Sequence, residues 1–268
     1  MTNSLIVGFG NLGKNIVNGL IKEKKRFTIY DKNQKTLDIF KKKKPDFCSI
    51  CKNLNKISFE NYNYLFICVK PKDVHLLLIK LKDRIIKKNI IVSFVAGLSE
   101  EKIFSLIEKE VKVVRLMPNL LARVGQSTTG AFSSRLERIE KKKIGSYISF
   151  FGKIIWLRKE EEMDFFTAFF GGGPAYICLF LKILTDILVK RGFQRKISEE
   201  LVTSLVDGTN KLMKLESLSH SNLIRKVASK KGTTERALNF LEKNNLFKNL
   251  LSTAISIAER RSVQLSRD

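Results

Sequence analysis

The stretch that decides the fold is Ser4-Leu5-Ile6-Val7-Gly8-Phe9-Gly10-Asn11-Leu12-Gly13. Four residues that favour a buried strand lead into Gly8-x-Gly10-x-x-Gly13, and apolar residues then recur at the spacing of one helix face. In the strand, turn and helix that this predicts, Gly8 makes the turn, Gly10 lets backbone N–H groups approach a pyrophosphate, and Gly13 lets the helix lie close to the strand. The positive end of the helix dipole then faces the phosphates. The stretch predicts a dinucleotide site, and a purely structural turn is the alternative.

A second predicted strand, residues 26–30, ends at Asp31. A dinucleotide fold places an acidic residue at this point, ~20 residues after the glycines, to meet the adenosine ribose. Asp31 would bind the two ribose hydroxyls of NADH and repel the 2′-phosphate of NADPH, whereas Lys32 and Lys35 would reverse that penalty. We expect NADPH or NADH as cofactor, with a slight preference for NADH.

The 268 residues carry 50 Lys and Arg against 26 Asp and Glu, a formal net charge of +24. Such a balance raises the question of nucleic acid or an anionic membrane as partner. The lysines are scattered, however, and the tight runs at residues 41–44 and 141–143 lack the interleaved aromatic residues of a stacking surface. No apolar span long enough to cross a bilayer is free of charge. We expect a small-molecule substrate, no nucleic-acid partner and no membrane partner.

The cysteine usage and the first residues, which lead straight into a strand without a basic leader segment, favour a cytoplasmic protein. Cys48-x-x-Cys51 has the spacing of a metal or redox pair, but no second pair completes it. His75 and His220 are isolated in the sequence. We expect no metal site.

Strand signals alternate with helix signals through residue 157 and then disappear. The alternation predicts an α/β fold, with a Rossmann-type, doubly wound and largely parallel sheet over residues 1–158. Residues 159–268 are predicted to form an all-α domain, with separate helices over residues 160–170 and 174–191 and further helices towards the C-terminus.

The predicted helix after Pro174 is apolar on nearly every side. A helix of this kind must be buried, and in a small helical module the simplest partner is a second copy of the chain. We expect a homodimer or a higher assembly, and burial within one chain is the alternative.

Further motifs lie at predicted strand ends and helix starts. They are Cys68-Val69-Lys70-Pro71, Met117-Pro118-Asn119, Gly171-Gly172-Gly173-Pro174-Ala175-Tyr176 and Ser229-Lys230-Lys231-Gly232-Thr233-Thr234. Together with the glycine turn, and in this order along the whole chain, these motifs resemble those of the pyrroline-5-carboxylate reductase family. The resemblance implies a dinucleotide-binding domain followed by a helical dimerisation domain. It also implies reduction of 1-pyrroline-5-carboxylate to L-proline by NAD(P)H, the last step of proline biosynthesis.

Reduction of a cyclic imine needs a hydride donor, a hydrogen-bond donor for the imine nitrogen and an anchor for the carboxylate. The helix that starts at Gly232-Thr233-Thr234 offers N–H groups and hydroxyls at a positive dipole end. By resemblance, Ser229, Gly232 and Thr233 bind the substrate and Thr234 is catalytic, donating to the imine nitrogen. An ordinary helix cap is the alternative. The expected cofactor contacts are Gly8, Phe9, Gly10, Asn11, Leu12, Gly13, Asp31, Cys68, Val69, Lys70, Pro71, Met117 and Asn119, with Asn11 and Leu12 using backbone N–H groups on the pyrophosphate.

The chain also departs from the family's usual motifs. It has Leu120-Leu121 for the usual Thr-Pro, Phe170 and Gly172 for two serines, and Lys230-Lys231 for Pro-Gly. These departures keep two alternatives open: a homologue that acts on another small imine or 2-oxo acid, and a non-catalytic dinucleotide-binding homologue.

Overall fold

The N-terminal part of the chain is built on one eight-stranded sheet, in a computed structural model that describes residues 2–267 and the side chains of residues 2–265. The strands are β1 (Ser4–Val7), β2 (Phe27–Tyr30), β3 (Cys48–Cys51), β4 (Tyr64–Ile67), β5 (Ile90–Ser93), β6 (Lys112–Met117), β7 (Ser127–Phe132) and β8 (Gly152–Trp156). Their spatial order is β3-β2-β1-β4-β5-β6-β7-β8, and all neighbours are parallel except the antiparallel pair β6 and β7. The predicted largely parallel sheet is confirmed.

The helices of this part connect successive strands and are followed by a run of helices to the C-terminus. They are α1 (Asn11–Lys22), α2 (Gln34–Lys41), α3 (Pro71–Leu81), α4 (Glu100–Ile107), α5 (Arg138–Tyr147), α6 (Glu162–Phe166), α7 (Gly173–Lys190), α8 (Arg195–Leu215), α9 (His220–Val227), α10 (Thr233–Glu242) and α11 (Leu246–Arg267).

Both faces of the sheet are buried, because successive strand residues point to opposite sides. On β1, Ile6 belongs to a core cluster with residues of α1, α2 and α5, whereas Leu5 and Val7 belong to a second cluster with residues of α3 and α4. All three side chains are at most 1% exposed. A continuous apolar strand with helices on each side is the doubly wound arrangement that the sequence predicts.

The prediction of separate helices before and after residue 174 is wrong. The helical segment continues from α6 through a π-helical turn, Thr167–Gly171, into α7, and Gly172 N donates to Thr167 O across 3.3 Å. Pro174 has no N–H, so it cannot bond the carbonyl of Phe170 four residues earlier. The side-chain amide of Asn119 donates to that carbonyl instead, at 2.9 Å. A donor from a distant part of the chain thus takes the place of the missing helix bond.

The described residues divide into two compact units, one of residues 2–172 with 258–267 and one of residues 173–257. The sequence places a domain boundary at residues 158/159, where the strand signals end. Residues 159–172 group with the first unit because Phe166 of α6 packs on β7, where a β-carbon on Gly130 would lie 2.7 Å from its ring. The end of α11 also contacts α6, through Ser262 Oγ and Asp164 Oδ1 at 2.7 Å.

Helix α7 of the second unit has a largely uncovered apolar surface. Thr185 is the only buried residue among its 18 residues, and Ile177, Ile183 and Ile187 are each at least half exposed. Among the described residues, one helical segment, Glu162–Lys190, is long and apolar enough to cross a membrane by length and composition. Composition alone gives weak evidence for a membrane span, because a helix buried in an assembly has the same character.

Candidate active site

The predicted cofactor residues of the first unit lie together at one edge of the sheet. The glycine turn follows β1, Asp31 follows β2, residues 68–70 follow β4, and Met117 ends β6. These strands are mutually parallel, so their carboxyl ends meet at the same edge. The chain leaves β1 towards β2 on one side and returns to β4 on the other, and ligands of open α/β sheets bind at such a reversal of strand order.

The glycine turn has the shape that a pyrophosphate needs. Gly8 has φ +103°, and a β-carbon there would lie 2.7 Å from Cys68 O. A β-carbon on Gly13 would lie 2.1 Å from Gly8 O, so the start of α1 is held against the turn. Gly10, by contrast, has open space where its β-carbon would be, with no atom within 4 Å. The residues present therefore fit a dinucleotide, with an open backbone surface at Gly10.

Two of the turn's amides are already used within the chain. Gly8 N donates to Tyr30 O at 2.8 Å, and Phe9 N donates to Asp31 Oδ2 at 2.5 Å. The Phe9 ring is buried against Phe40 at a centroid distance of 5.0 Å, so Phe9 supports the turn rather than presenting a side chain to a ligand. Helix α1 has no side-chain cap, and its first amides, from Asn11 onward, have no partner in the helix. These amides are the donors available to phosphate oxygens.

Asp31 ties the loop after β2 to the glycine turn, since its second oxygen accepts from Asn33 N at 2.7 Å. The neighbouring Lys32 forms an ion pair with Asp73 in the first turn of α3, with Nζ and Oδ1 2.9 Å apart. This hydrogen bond lowers the pKa of the exposed Asp73 carboxyl. Sequence reasoning missed Asp73, although an aspartate in the first turn after Pro71, close to the same sheet edge, was a usable signal.

The segment after β4 reaches the site through its backbone. Cys68 N donates to Val7 O at 2.8 Å, which continues the pairing of β1 and β4 into the turn. Burial raises the pKa of the Cys68 thiol, so it is a neutral packing group. Lys70 caps α3 and Pro71 is its first residue, so Val69 and Lys70 form the short loop at the sheet edge.

Asn119, a predicted cofactor contact, uses both polar atoms of its side chain within the chain. Its oxygen accepts from Leu121 N at 3.0 Å, and its nitrogen donates to Phe170 O as described above. Its backbone N donates to Ser127 Oγ at 3.1 Å. The structure thus gives Asn119 a structural role, since it joins the loop after Met117 to the π-helical turn.

The predicted substrate residues lie together in the second unit, at the start of α10. Gly232 caps this helix without a side-chain hydrogen bond, so the first amides of α10 remain available to an anion. Ser229 is folded against Gly232, where a β-carbon would lie 2.5 Å from Ser229 Oγ. Within the described part of the chain, the hydroxyls of Thr233 and Thr234 make no hydrogen bond to another residue, so both can bind a ligand.

A residue that sequence reasoning missed holds this turn in place. Glu235 Oε2 accepts from Lys231 N at 2.6 Å. Lys231 is in the left-handed region, with φ 61°, which is unfavourable for a side chain with a β-carbon. Glu235 lies three residues after the cap, where an acidic side chain commonly reaches back to the preceding backbone, and that spacing was the available signal.

Cys48 and Cys51 do not form a metal or redox pair. Cys48 belongs to the core cluster on one face of the sheet and Cys51 packs against the cluster on the other. Burial raises the pKa of the Cys48 thiol to about 11. Within residues 2–265, no group of three or more His, Cys, Asp or Glu side chains is arranged to hold a metal ion.

Comparison with known proteins identifies two family models in the chain. Residues 160–265 match the pyrroline-5-carboxylate reductase dimerisation model, and residues 4–97 match a model described as NADP oxidoreductase, coenzyme F420-dependent. The first match covers α6 to α11 and the second covers the glycine turn and Asp31.

Similarity to individual proteins extends over nearly the whole chain. A pyrroline-5-carboxylate reductase of Aquifex aeolicus is 31% identical over 263 residues, which are 97% of this chain and 96% of that protein. A solved pyrroline-5-carboxylate reductase from Coxiella burnetii superposes with a TM-score of 0.89 at 28% identity and 98% coverage of both chains. The Plasmodium falciparum enzyme, solved with NADP bound, gives a TM-score of 0.79 at 25% identity, covering 99% of this chain and 98% of that one. This protein therefore belongs to the pyrroline-5-carboxylate reductase family.

Proposed function

We propose that the protein reduces 1-pyrroline-5-carboxylate to L-proline with NAD(P)H, the last step of proline biosynthesis. The observation that carries this proposal is the 31% identity to the Aquifex reductase over 97% of the chain, which includes both the glycine turn and the start of α10. When bound, NAD(P)H supplies the hydride that is transferred to the imine carbon.

The residues of the first unit orient the cofactor. The free amides at the start of α1 bind the pyrophosphate, because they point along the helix axis at its positive end. The open backbone at Gly10 would admit the phosphates, and Val69 and Lys70, in the loop after β4, would border the nicotinamide ribose. Together these residues would hold the cofactor in one orientation at the sheet edge.

The residues at the start of α10 bind and polarise the substrate. The N–H groups of α10, with the hydroxyls of Ser229 and Thr233, anchor the substrate carboxylate. The Thr234 hydroxyl donates a hydrogen bond to the imine nitrogen, which makes the imine carbon a better hydride acceptor. The proton that the nitrogen gains comes ultimately from water. Glu235 keeps the turn in shape through Lys231 N.

The proposal is tested with purified protein and pyrroline-5-carboxylate, following the loss of reduced-nicotinamide absorbance. Thr234→Val is expected to lower kcat by about 100-fold and to leave cofactor affinity unchanged, because it removes a hydrogen bond to the reacting nitrogen. Thr209→Val is the matched control, since that hydroxyl bonds only Leu205 O of its own helix, at 2.7 Å. A Thr234→Val variant that turns over like the parent would contradict the role of this hydroxyl.

The same assay separates the two alternative functions. Turnover with another small imine or a 2-oxo acid, and none with pyrroline-5-carboxylate, would identify a reductase with a changed substrate. Retained cofactor binding without turnover of any of these compounds would identify a non-catalytic homologue. These two alternatives are motivated by departures from the family motifs at Lys230, Lys231 and Gly172.

We also propose that the protein is a homodimer that buries the apolar surface of α7. The dimerisation family model spans residues 160–265, and Ile183 and Ile187 on α7 are 50% and 54% exposed in the single chain. An ion pair between Lys182 and Asp186, 2.7 Å apart, lies on the same helix. Two charges in the middle of a membrane span are costly, which favours a protein partner over lipid.

The dimer is tested by analytical ultracentrifugation at micromolar concentration. Ile183→Glu is expected to give monomers, because it places a charge in the proposed interface. Ile39→Glu is the control, since Ile39 is 70% exposed on α2 of the first unit and should leave the assembly intact. A monomeric parent protein, or one that partitions into lipid vesicles, would overturn the proposal.

We place the enzyme in the cytoplasm. Its four cysteines are free thiols, which suits a reducing compartment. Cell fractionation with an activity assay tests this, and recovery of the activity with membranes would contradict it.

A further inference from the structure

We propose that Asp31 makes this reductase selective for NADH over NADPH, and that its carboxylate does so while it fixes the shape of the glycine turn. The inference rests on the proposed function for the reaction, but it concerns only the adenosine end of the cofactor. The relevant atoms all lie in the first unit.

The Asp31 carboxylate is oriented by two backbone donors. One oxygen accepts from Phe9 N at 2.5 Å and the other from Asn33 N at 2.7 Å. A carboxylate has about four lone-pair sites, so each oxygen can accept one further hydrogen bond. Two neighbouring ribose hydroxyls are hydrogen-bond donors, so they match the two free acceptor positions of the carboxylate. In a dinucleotide-binding fold, an acidic residue after the second strand lies at this ribose.

A 2′-phosphate does not match the same arrangement. It replaces one hydroxyl donor by a group that only accepts hydrogen bonds, and it places negative charge beside the carboxylate. Asp31 cannot turn away without releasing Phe9 N, which belongs to the glycine turn that binds the pyrophosphate. The penalty for NADPH is therefore built into the turn itself.

The groups that would offset this penalty are engaged elsewhere. Lys32 Nζ is paired with Asp73 at 2.9 Å, and a phosphate that recruited it would leave Asp73 without its partner. The Asn33 side chain caps α2 by accepting from Thr36 N at 3.4 Å. The Gln34 amide nitrogen donates to the carbonyls of Asp31 and Lys52, each at 3.2 Å.

Lys35, in the first turn of α2, is a second cation beside this loop, and it is exposed. A single exposed lysine is screened by solvent, so it does not cancel the repulsion by a carboxylate that is fixed at the ribose. The sequence leaves Asp31 in competition with Lys32 and Lys35. Lys32 is 76% exposed as well as paired with Asp73, so it is screened in the same way and does not cancel the repulsion either.

The experiment measures cofactor binding directly, by fluorescence titration of the full-length protein with NADH and NADPH. The parent protein is expected to bind NADH at least about tenfold more tightly, which corresponds to one unfavourable contact of ordinary size. Calorimetry with 5′-AMP and 2′,5′-ADP isolates the adenosine end and should give the same order. Parent protein that binds NADPH as tightly as NADH would overturn the inference, whatever the variants do.

The variants identify the residue responsible. Asp31→Asn is expected to bring the ratio of the two dissociation constants to within about threefold of unity. The ratio of the two dissociation constants is the quantity to compare, because a loosened glycine turn would weaken the binding of NADH and NADPH equally. Asp73→Asn frees Lys32 from its ion pair and should lower the preference for NADH without reversing it. Lys35→Ala is the control and should leave NADH preferred. An unchanged ratio in Asp31→Asn, or a preference for NADPH in Asp73→Asn, would contradict the role of Asp31.

The outcomes are independent of the reaction assigned to the enzyme. Selective NADH binding without turnover of pyrroline-5-carboxylate would refute the proposed reaction and keep the cofactor inference. Turnover that is faster with NADPH, together with tighter NADPH binding, would keep the reaction and refute the inference.

Discussion

Replacing Gly13 by alanine should destabilise the protein even though alanine is the better helix former. Gly13 is buried in α1, and a β-carbon there would lie 2.1 Å from Gly8 O and 3.0 Å from Gly8 C. Ordinary contact begins near 3.4 Å, so the helix and the turn must separate by about 1 Å. The atoms that must move are backbone atoms, and Gly8 N and Phe9 N are both hydrogen-bonded to the end of β2.

The magnitude follows from two opposing terms. Overpacking of this kind costs ~1–3 kcal/mol and occasionally more, while glycine to alanine in a helix gains ~1 kcal/mol. Because the turn is held at both ends of the clash, we expect a cost near the upper limit and a net loss of ~2 kcal/mol. Gly145→Ala on α5 is the matched control, since its β-carbon would meet no atom within 4 Å. It should stabilise the protein by ~0.5–1 kcal/mol.

The assay is urea unfolding at one fixed protein concentration, because subunit association contributes to the apparent stability. The two variants are expected to shift the midpoint in opposite directions. Gly13→Ala should also weaken NADH binding, since the displaced turn carries the amides that face the pyrophosphate. A Gly13→Ala variant as stable as the parent would refute the close contact of α1 with the turn.

Three further perturbations test other parts of the structure. Burial raises the pKa of the Glu100 carboxyl, so its charged form is penalised in the folded state. Glu100→Gln should therefore raise the urea midpoint at pH 7. This gain in stability should vanish as the pH falls through about 4.3, the ordinary pKa of glutamate, because the parent carboxyl is then neutral in both states. Glu235→Ala should raise the KM for the imine by about fivefold, with NADH affinity unchanged in titration, because Lys231 N loses an acceptor worth ~1 kcal/mol. Asn119→Leu should cost ~1–3 kcal/mol in urea unfolding by leaving Phe170 O without a donor; an unchanged midpoint would contradict that bond.

The strand and helix order of the first unit was predictable because its signals are local. A buried apolar run followed by glycines defines β1 and α1, and Ser99 with two acidic residues marks the start of α4, where Ser99 Oγ accepts from Lys102 N at 3.1 Å. The antiparallel placement of β7 also had a local signal, since the connection from Met117 to Ser127 is shorter than parallel crossovers require.

Features that depend on distant contacts were not predictable. Pro174 favours a helix start, and the continuous helical segment exists because Asn119, far away in the chain, bonds the carbonyl that Pro174 leaves free. A lysine rarely adopts the left-handed backbone conformation, so nothing in the sequence indicated that Lys231 does. The structure shows that Lys231 N in this conformation donates to Glu235 Oε2. At the candidate site, the residue types indicated which ligands could bind. The structure added which backbone amides and charged side chains already have partners within the chain.

Cys48 lies on β3, the outermost strand of the sheet, so its reactivity reports the local opening of that strand. Its side chain is 1% exposed, so a thiol reagent can label it only when β3 detaches from β2. Cys51 on the same strand is partly exposed and provides the fast reference reaction. The ratio of the two labelling rates would therefore give the free energy of opening at this margin of the sheet, and the effect of cofactor on that ratio would show how far stabilisation spreads from the glycine turn.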